Sequence, residues 1–298
     1  MISKTIHLPQ ITLPECLKYL DTARRFIKHF EVVQAPGNLD FLRSVLKAFS
    51  GIPYENLSKI SKFSHQLHGI EQIRLPDEVF EDHITHQLGG TCFSLTYLLQ
   101  SILENEEFVC YPVLADMNWG RNVHCALIVL MDGKKALVDP GYCLSEPLFL
   151  SKEAPTVIET DVSAVRCTYD KKTGTYHLHT ITQNVGKWRY SFRDEPAGPQ
   201  HFLERWLASF HWNGMHGFCL TRVDNGRMIY IHKAYMRETR RDGKTNYKLK
   251  GQVVETIQSV FNISPDILRE ARKALDSNLE RERRAGLWAP RRSGKNNP

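Results

Sequence analysis

A chain of 298 residues allows one large domain or two to three packed ones. Hydrophobic residues make up 42% of the sequence and charged residues 24%, a composition that excludes a disordered, collagen-like or disulfide-framework protein. The formal net charge of +6 is unevenly spread. Residues 233–250 hold seven basic side chains against two acidic ones, residues 281–298 hold six against one, and the remaining chain is net −4.

The seven cysteines are scattered and form no CxxC pair; they stand at positions 16, 92, 110, 125, 143, 167 and 219. This spacing argues against a zinc ribbon or a thioredoxin motif. The first twenty residues lack a basic-then-apolar signal pattern, and no apolar run approaches the ~18 residues of a membrane span. We therefore expect a reduced, cytoplasmic protein without a membrane partner, in which most thiols are inert core residues.

Residues 1–90 have the periodicity of helices. Apolar residues recur at helical spacing in the segment 38–51, and Pro76 followed by two acidic residues is typical of a helix start. After a pair of glycines the same periodicity returns, which predicts a helix that begins at or just after Thr91. The pattern before that point predicts a helical segment.

From Phe108 onwards the pattern changes to alternation and short apolar runs, which predicts strands. The predicted strands are 108–115, 123–131, 134–140, 163–170, 174–182 and 186–193. Six strands in about ninety residues favour an antiparallel barrel or sandwich.

The loop 194–200 is a predicted domain boundary. Beyond it the sequence predicts a mixed α/β unit followed by a flexible basic tail. The predicted elements of that unit are a helix over 201–210, a hairpin that turns at Asp242-Gly243, and helices near 251–261 and 265–284.

Cys92 lies at a predicted helix start, directly after Gly89, Gly90 and Thr91. The glycines permit unusual backbone angles and close approach of a partner. The positive end of the helix dipole favours the thiolate, which is the nucleophilic form of cysteine. The alternative interpretation is a small buried hydrophobic residue at the start of a packed helix.

His124 and Asp139 lie on two apolar runs that are joined at Asp132-Gly133, a signal for a two-residue hairpin turn. With that turn His124 lies opposite Gly141, and Asp139 is its diagonal neighbour on the same face of the sheet. A carboxylate so placed can hold an imidazole in one tautomer, as the base and the orienting group of a nucleophilic triad do. The alternative is a packed strand histidine and an aspartate that only ends its strand.

Four motifs in this order resemble the signatures of the arylamine N-acetyltransferase family. They are Pro53-Tyr54-Glu55-Asn56-Leu57, Gly89-Gly90-Thr91-Cys92-Phe93, Val123-His124 and Leu137-Val138-Asp139-Pro140-Gly141-Tyr142. A weaker similarity continues through Phe218, Gly226-Arg227-Met228-Ile229-Tyr230 and Val260-Phe261-Asn262-Ile263. The resemblance therefore covers most of the chain except the tail.

This resemblance implies an α+β fold with a cysteine-protease-like core. Its parts would be a helical bundle over 1–90, an antiparallel β-barrel over 91–195 that starts with the cysteine helix, an α/β lid over 196–284 and a flexible basic tail over 285–298. The order of helices, strands and mixed elements read from the periodicity agrees with this architecture.

The resemblance also implies the chemistry. Cys92 would be the nucleophile, His124 its base and Asp139 the orienting carboxylate. Acetyl-coenzyme A, or another acyl-coenzyme A, would acylate Cys92 as a co-substrate, and an arylamine, hydrazine or related amine would then take the acyl group in a ping-pong reaction. No permanently bound cofactor and no metal are expected.

Two positions depart from the family pattern. The family usually has an arginine before the paired glycines, where this sequence has Leu88. The usual partner of that arginine corresponds to Glu55, which must find another donor, titrate upward or remain exposed. The polar residue two positions after the cysteine is the shorter Ser94. Both changes are expected to alter the acceptor pocket.

Two other groups of residues suggest ligands. His83 and His86 are three apart on a predicted helix, but no fourth ligand stands at a spacing that predicts a metal site. The cations of the hairpin 233–250 either form a solvated lid face or meet the phosphates of coenzyme A or the acidic surface of an acyl-carrier protein, with Arg240, Arg241 and Lys244 as candidates. No nucleic-acid-binding motif is present, so nucleic acid is not an expected partner.

Three alternatives to an acetyltransferase stay open. An amide synthase of a biosynthetic pathway would use the same triad with a longer or carrier-bound acyl donor. A papain- or transglutaminase-like hydrolase would use the same three roles, although the Pro-Tyr-Glu-Asn-Leu segment and the order of the motifs favour the transferase. A non-enzymatic binding protein is the least favoured, because all three triad residues are present.

Overall fold

The computed structural model describes residues 12–32 and 39–289. This part of the chain contains eight α-helices, joined in places by short 3₁₀ turns. The helices are α1 (Leu20–His29), α2 (Leu39–Gly51), α3 (Leu57–Ser64), α4 (Pro76–His86), α5 (Cys92–Asn105), α6 (Pro199–Ala208), α7 (Val253–Phe261) and α8 (Pro265–Arg284).

Thirteen strands within the same residues form two antiparallel sheets. The strands are β1 (Tyr54–Glu55), β2 (Cys110–Met117), β3 (Gly120–Met131), β4 (Lys134–Val138), β5 (Leu148–Phe149), β6 (Thr156–Glu159), β7 (Ala164–Asp170), β8 (Thr175–Thr182), β9 (Val185–Phe192), β10 (Cys219–Asp224), β11 (Arg227–His232), β12 (Tyr235–Arg240) and β13 (Gly243–Lys248).

The larger sheet has the strand order β5-β4-β3-β2-β9-β8-β7-β6. Its two edge strands lie close to each other, so the sheet is a nearly closed barrel. Helix α5 packs on the outside of β2 and β3, which places its first residue beside the strand that carries His124. The predicted α+β architecture, with a helical segment followed by a barrel, is therefore confirmed.

The smaller sheet has the order β1-β10-β11-β12-β13 and forms the lid. Its first strand comes from the helical segment, where Tyr54 and Glu55 pair with Thr221 and Leu220. This sheet therefore joins a strand from the predicted helical bundle to strands from the predicted lid. The division of the chain at residues 90 and 195 stays a prediction.

The helices form where an apolar stripe can be buried. In α2 the fully or almost fully buried side chains recur every three to four residues, as Phe41, Val45 and Phe49 show. In α8 the side chain of Ser264 accepts a hydrogen bond from the backbone of Ile267, and Pro265 occupies the first turn, as the sequence pattern indicates.

Three details differ from the sequence-based expectations. The two short barrel strands β5 and β6 were not expected, because each offers only a few residues of alternating pattern. The predicted strand 134–140 ends at Val138, because the chain turns into a 3₁₀ helix at Pro140. The lid hairpin turns at Arg241-Asp242 rather than at Asp242-Gly243, since Gly243 already pairs with Arg240.

Some predictions fall on residues outside the described ones. These are the first eleven residues of the predicted bundle, the segment 33–38, and residues 290–298 of the predicted basic tail. Over residues 12–32 and 39–289, none of the helices combines the length and the apolar character needed to span a bilayer.

Candidate active site

Cys92 is the first residue of α5 and is 7% exposed. The preceding residue, Thr91, has an extended backbone that turns the chain into the helix. The side chain of Ser94 folds back on this turn, where its hydroxyl donates to the Thr91 carbonyl at 3.1 Å. The thiol therefore stands at a helix N-terminus, as the sequence predicts, and the structure shows that it is buried.

His124 and Asp139 are in direct contact. The Nε2 atom of His124 donates to Oδ2 of Asp139 at 2.7 Å, and both side chains are almost fully buried. His124 also lies next to Cys92, since a Cβ atom on Gly141 would contact both side chains, and the charge of each acts on the pKa of the other. Because Nε2 faces the carboxylate, Nδ1 is the ring nitrogen left for the sulfur. The three predicted site residues thus lie together, in the order thiol, imidazole, carboxylate.

The hairpin between β3 and β4 brings the last two of these residues together. Its register is the predicted one from Met131 opposite Lys134 to Leu127 opposite Val138. The ladder ends there, so the expected pairing of His124 with Gly141 does not form. Asp139 instead starts the 3₁₀ turn, and its Oδ1 atom accepts the backbone N–H of Tyr142 at 3.1 Å.

Two aromatic residues complete the surroundings of the imidazole. The hydroxyl of Tyr190 donates to Oδ2 of Asp139 at 2.7 Å, and its ring centroid lies 4.8 Å from that of His124. The ring of Tyr142 lies edge-on to His124 at 5.2 Å. Tyr190 is a site residue that the sequence analysis missed, because it stands fifty-one positions from Asp139 with no motif around it.

Gly141 is required by the close packing of the triad. A Cβ atom on Gly141 would lie 3.0 Å from Cε1 of His124, 3.1 Å from Cβ of Cys92 and 3.2 Å from Oδ1 of Asp139. Any side chain at this position would push the three groups apart. The glycine therefore allows the backbone after Asp139 to close over the site.

The electrostatics favour an ion pair between the thiol and the imidazole. The pKa of Cys92 is held well below its usual range, and the interaction with the side chain of Cys125 is the largest cause. Burial of Cys92 acts in the opposite direction and raises this pKa. The side chain and charge of His124 lower the pKa further, and the charge of Lys59 makes a smaller contribution in the same direction. Burial alone would lower the pKa of His124, but Asp139 and Cys92 outweigh it and raise this pKa to about 10. At neutral pH the pair is thiolate and imidazolium.

Cys92 is exceptional among the seven cysteines, all of which lie within the described residues. In each of the other six, burial is the first cause of a raised pKa; these are Cys16, Cys110, Cys125, Cys143, Cys167 and Cys219. A reagent that attacks thiolates will therefore select Cys92.

Lys59 is a second cation near the thiol that the sequence did not single out. Its ammonium group donates to the hydroxyl of Ser209 at 2.5 Å and lies 4.5 Å from the ring centroid of Phe210. Burial lowers its pKa to about 8, while the charge of Cys92 acts to raise it. Burial raises the pKa of Tyr54 and of Tyr142, and the charge of Cys92 adds a smaller contribution in the same direction.

Glu55 has the new donor that the loss of an arginine at position 88 requires. The carboxylate is fully buried, and Nη1 of Arg74 lies 3.7 Å from its Oε1 atom. Ser58 supplies two hydrogen bonds, from its backbone N–H at 3.0 Å and from its hydroxyl at 2.5 Å. Of the three alternatives for Glu55, the structure therefore shows the first, another donor, and a residue fourteen positions before Leu88 carries the charge.

The other candidate groups are explained by local contacts. The ring of His83 donates from Nδ1 to the Leu88 carbonyl at 2.9 Å. In the part of the chain that the structure describes, no three His, Cys, Asp or Glu side chains are grouped in a way that could hold a metal ion. On the lid hairpin, Arg240 pairs with Glu238 at 2.6 Å and Arg241 with Glu159 at 3.5 Å, so these two candidates already have carboxylate partners.

Comparisons with known proteins agree with this fold. A model of the N-acetyltransferase family matches residues 38–268. A comparison with curated protein sequences gives no significant match. Several solved structures share the fold. The arylamine N-acetyltransferase of M. tuberculosis superposes with a TM-score of 0.71 at 19% identity, over 85% of this chain and 99% of that chain.

Two further structures are similar to the same extent. The arylamine N-acetyltransferase of Mycobacterium abscessus has a TM-score of 0.72 at 16% identity and covers 89% of this chain and 99% of its own. The Mycobacterium marinum arylamine N-acetyltransferase in complex with CoA has a TM-score of 0.70 at 18% identity, over 86% of this chain and 97% of its own. At these identities the likeness concerns the fold.

Proposed function

The chain belongs to the N-acetyltransferase family, and from this membership we propose that it transfers an acetyl group from coenzyme A to Cys92 and from Cys92 to an amine. As a member of this family the chain is an N-acyltransferase with the arylamine N-acetyltransferase fold. The observation that carries the proposal is the single thiol of lowered pKa, which lies next to a His124 that Asp139 orients.

In the first half of the reaction, the Cys92 thiolate attacks the carbonyl carbon of the donor thioester. The tetrahedral intermediate collapses as the carbon–sulfur bond to coenzyme A breaks, and the His124 imidazolium gives its proton to the departing sulfur. The products are acetyl-Cys92 and coenzyme A. Asp139 keeps the remaining proton on Nε2, so that Nδ1 is the nitrogen that exchanges protons with the reactants.

In the second half, the neutral nitrogen of the acceptor amine attacks the thioester carbon. Nδ1 of His124 takes one proton from this nitrogen, the bond to Cys92 breaks, and an amide leaves the site. The thiolate and the imidazolium are thereby restored. An arylamine or hydrazine suits this step, because its nitrogen is largely unprotonated at neutral pH and attacks without first losing a proton.

A cluster of four cations is the proposed site for the phosphates of the donor. Lys187 and Arg189 share one face of β9, and Arg237 and Lys244 share one face of the lid hairpin by its register. Gln183 donates to the Asp242 carbonyl, which brings the turn of the barrel hairpin against the turn of the lid hairpin.

The charges in this cluster repel one another. The charge of Arg189 is the first cause that lowers the pKa of Lys187, and the charges of Arg189, Arg237 and Lys187 add to burial in lowering that of Lys244. Within the described residues none of the four forms an ion pair with a carboxylate, in contrast to Arg240. Arg189 is also electrostatically coupled to Tyr142, which packs on His124. A cluster of cations without carboxylate partners can bind phosphate groups. Such a cluster near the nucleophile suits a thioester donor that carries a phosphorylated tail.

Replacing both Arg237 and Lys244 with Gln is expected to raise the KM for acetyl-coenzyme A about 10-fold, because charge-assisted contacts to phosphate are lost. The KM should also become less dependent on salt. The matched control is Arg240→Gln on the same hairpin, whose charge Glu238 already balances.

S-acetyl-N-acetylcysteamine, an acetyl thioester without phosphates, separates phosphate binding from other effects. Its KM should be the same in the wild type and in the double variant. An unchanged KM for acetyl-coenzyme A in the double variant would refute the phosphate site and leave the solvated lid face as the explanation.

The proposed reaction is tested by intact mass measurement of the wild-type protein after incubation with acyl thioesters. Acetyl-coenzyme A should add one acetyl group, peptide mapping should locate it on Cys92, and an arylamine should remove it. Labelling only by long or carrier-bound acyl groups would favour the amide synthase. No adduct from any thioester, together with cleavage of peptides or amides, would favour the hydrolase and contradict the proposal.

A further inference from the structure

Arg74 lies in the loop before α4, is 3% exposed and makes contacts in three directions. Its Nη1 atom donates to the carbonyl of Gly89 at 2.6 Å and to the hydroxyl of Ser58 at 2.7 Å. Its Nη2 atom donates to Oδ2 of Asp82 at 2.6 Å. One guanidinium group therefore joins α4, α3 and Gly89. Gly89 lies in the loop before α5, three residues before Cys92.

The same loop is held from its other side by β1. The backbone N–H of Glu55 donates to the Gly90 carbonyl at 2.9 Å. Gly89 packs so closely on this strand that a Cβ atom would lie 1.8 Å from the Pro53 carbonyl oxygen. The glycine pair is thus confined between β1 and Arg74, with no room to shift toward the strand.

The hydroxyl of Ser58 bridges Arg74 and Glu55 by two hydrogen bonds. This hydroxyl accepts a hydrogen bond from Arg74 and donates one to Oε1 of Glu55. The hydroxyl oxygen is thus used as an acceptor, and its single proton is used as the donor. The buried Glu55 carboxylate is therefore balanced by the guanidinium of Arg74, which also forms ion pairs with Asp82 at 2.6 Å and with Glu78 at 3.5 Å. Leu88, directly before the glycines, is buried in an apolar cluster and supplies no charge.

We propose that Arg74 is a positioning residue for Cys92, which fixes the Gly89 carbonyl so that α5 begins with its thiol facing His124. This inference rests on the proposed function for its catalytic meaning, but its geometric content is independent of acyl transfer. A misplaced thiolate loses both its contact with His124 and its attack geometry, and a displacement of about 1 Å can lower a rate about 100-fold. The alternative is that Arg74 only stabilises the fold.

Arg74→Lys tests the positioning role, because it keeps the charge but cannot donate to Gly89, Ser58 and Asp82 at once. The rate of alkylation of Cys92 by iodoacetamide at neutral pH should fall about 10- to 100-fold. Its pH profile should move to higher pH as the thiol loses His124. In turnover, kcat should fall by a similar factor, whereas the KM for acetyl-coenzyme A should change little.

Ser58→Ala is the second variant, which removes the bridging hydroxyl without removing a charge. It should shift the alkylation profile in the same direction by a smaller amount, and it decides the question if Arg74→Lys does not fold. The matched control is Arg25→Lys, because Arg25 donates to Glu81 of the same helix α4 at 2.7 Å in an exposed ion pair.

Alkylation separates the two proposals, because it needs no acyl donor. A wild-type protein that alkylates rapidly but forms no acyl adduct would contradict the proposed function and leave Arg74 testable. Variants that melt at lower temperature but alkylate Cys92 with the wild-type rate and pH profile would overturn the positioning role.

Discussion

Replacing Cys92 with alanine will abolish the acyl adduct and lower amine acetylation by about 10⁴-fold or more. The thiol forms the covalent bond to the acyl group, and no other cysteine has a lowered pKa that would let it substitute. Intact mass and turnover should both be measured. The thermal unfolding midpoint should change little, because alanine fills most of the space of a thiol that packs at a helix start.

Cys110→Ala is the matched control, since Cys110 lies on β2, and burial raises its pKa. This variant should keep the adduct and the turnover of the wild type. An acetyl group found on another residue of the Cys92→Ala protein, with turnover retained, would exclude Cys92 as the nucleophile. Serine at position 92 should also be inactive, because its hydroxyl does not ionise in a site tuned for a thiolate.

The second large effect is expected for Asp139→Asn, which should lower turnover by about 10³- to 10⁴-fold. An amide at this position can donate to Nε2 of His124, which then puts the ring proton on Nδ1 and blocks its use as a base. The charge that raises the pKa of His124 is lost as well, and burial, which lowers that pKa, remains. At neutral pH the imidazolium and the thiolate should then both be lost.

The pH profile of iodoacetamide alkylation reports this change directly. In the wild type the rate should be constant through neutral pH, fall in acid as the Cys92 thiolate is protonated, and change again near pH 10 as His124 loses its proton. In Asp139→Asn the rate should be low at neutral pH and rise in alkali, as for an ordinary buried thiol.

Asp194→Asn is the matched control for this variant. Asp194 also accepts a hydrogen bond from a tyrosine, Tyr111 at 2.6 Å, but lies away from the triad next to Lys135. Its loss should leave the alkylation profile unchanged. A wild-type profile in Asp139→Asn would show that the carboxylate does not tune the imidazole.

The contact between His124 and Asp139 could be predicted from the sequence because its geometry is local. A two-residue turn at Asp132-Gly133 determines which residues of β3 and β4 face each other, and the observed register follows it as far as Val138. The end of the ladder was not predicted, because the 3₁₀ turn depends on the contact of Asp139 with the Tyr142 backbone. The contact between His124 and Asp139 survives this difference, since both residues stay on one side of the hairpin.

Contacts between distant segments could not be predicted in the same way. Arg74 balances Glu55 across nineteen positions and through a third residue, and an arginine before a helix start carries no signal of this role. The partner of Arg241 was likewise not predictable, because Glu159 belongs to a barrel strand that was not predicted. Periodicity describes which face of an element is buried, whereas the identity of the neighbour depends on the whole fold.

The pairing of β1 with β10 also has a consequence for the order of folding. The Gly90 carbonyl is bound by β1, and β1 in turn pairs with β10 of the lid. During synthesis β10 is made much later than β1. Contacts between such distant residues form late, because the loop between them must first be closed. A growing chain should therefore acquire its reactive thiol only after synthesis has passed Asp224, so that unfinished chains do not carry an unprotected nucleophile.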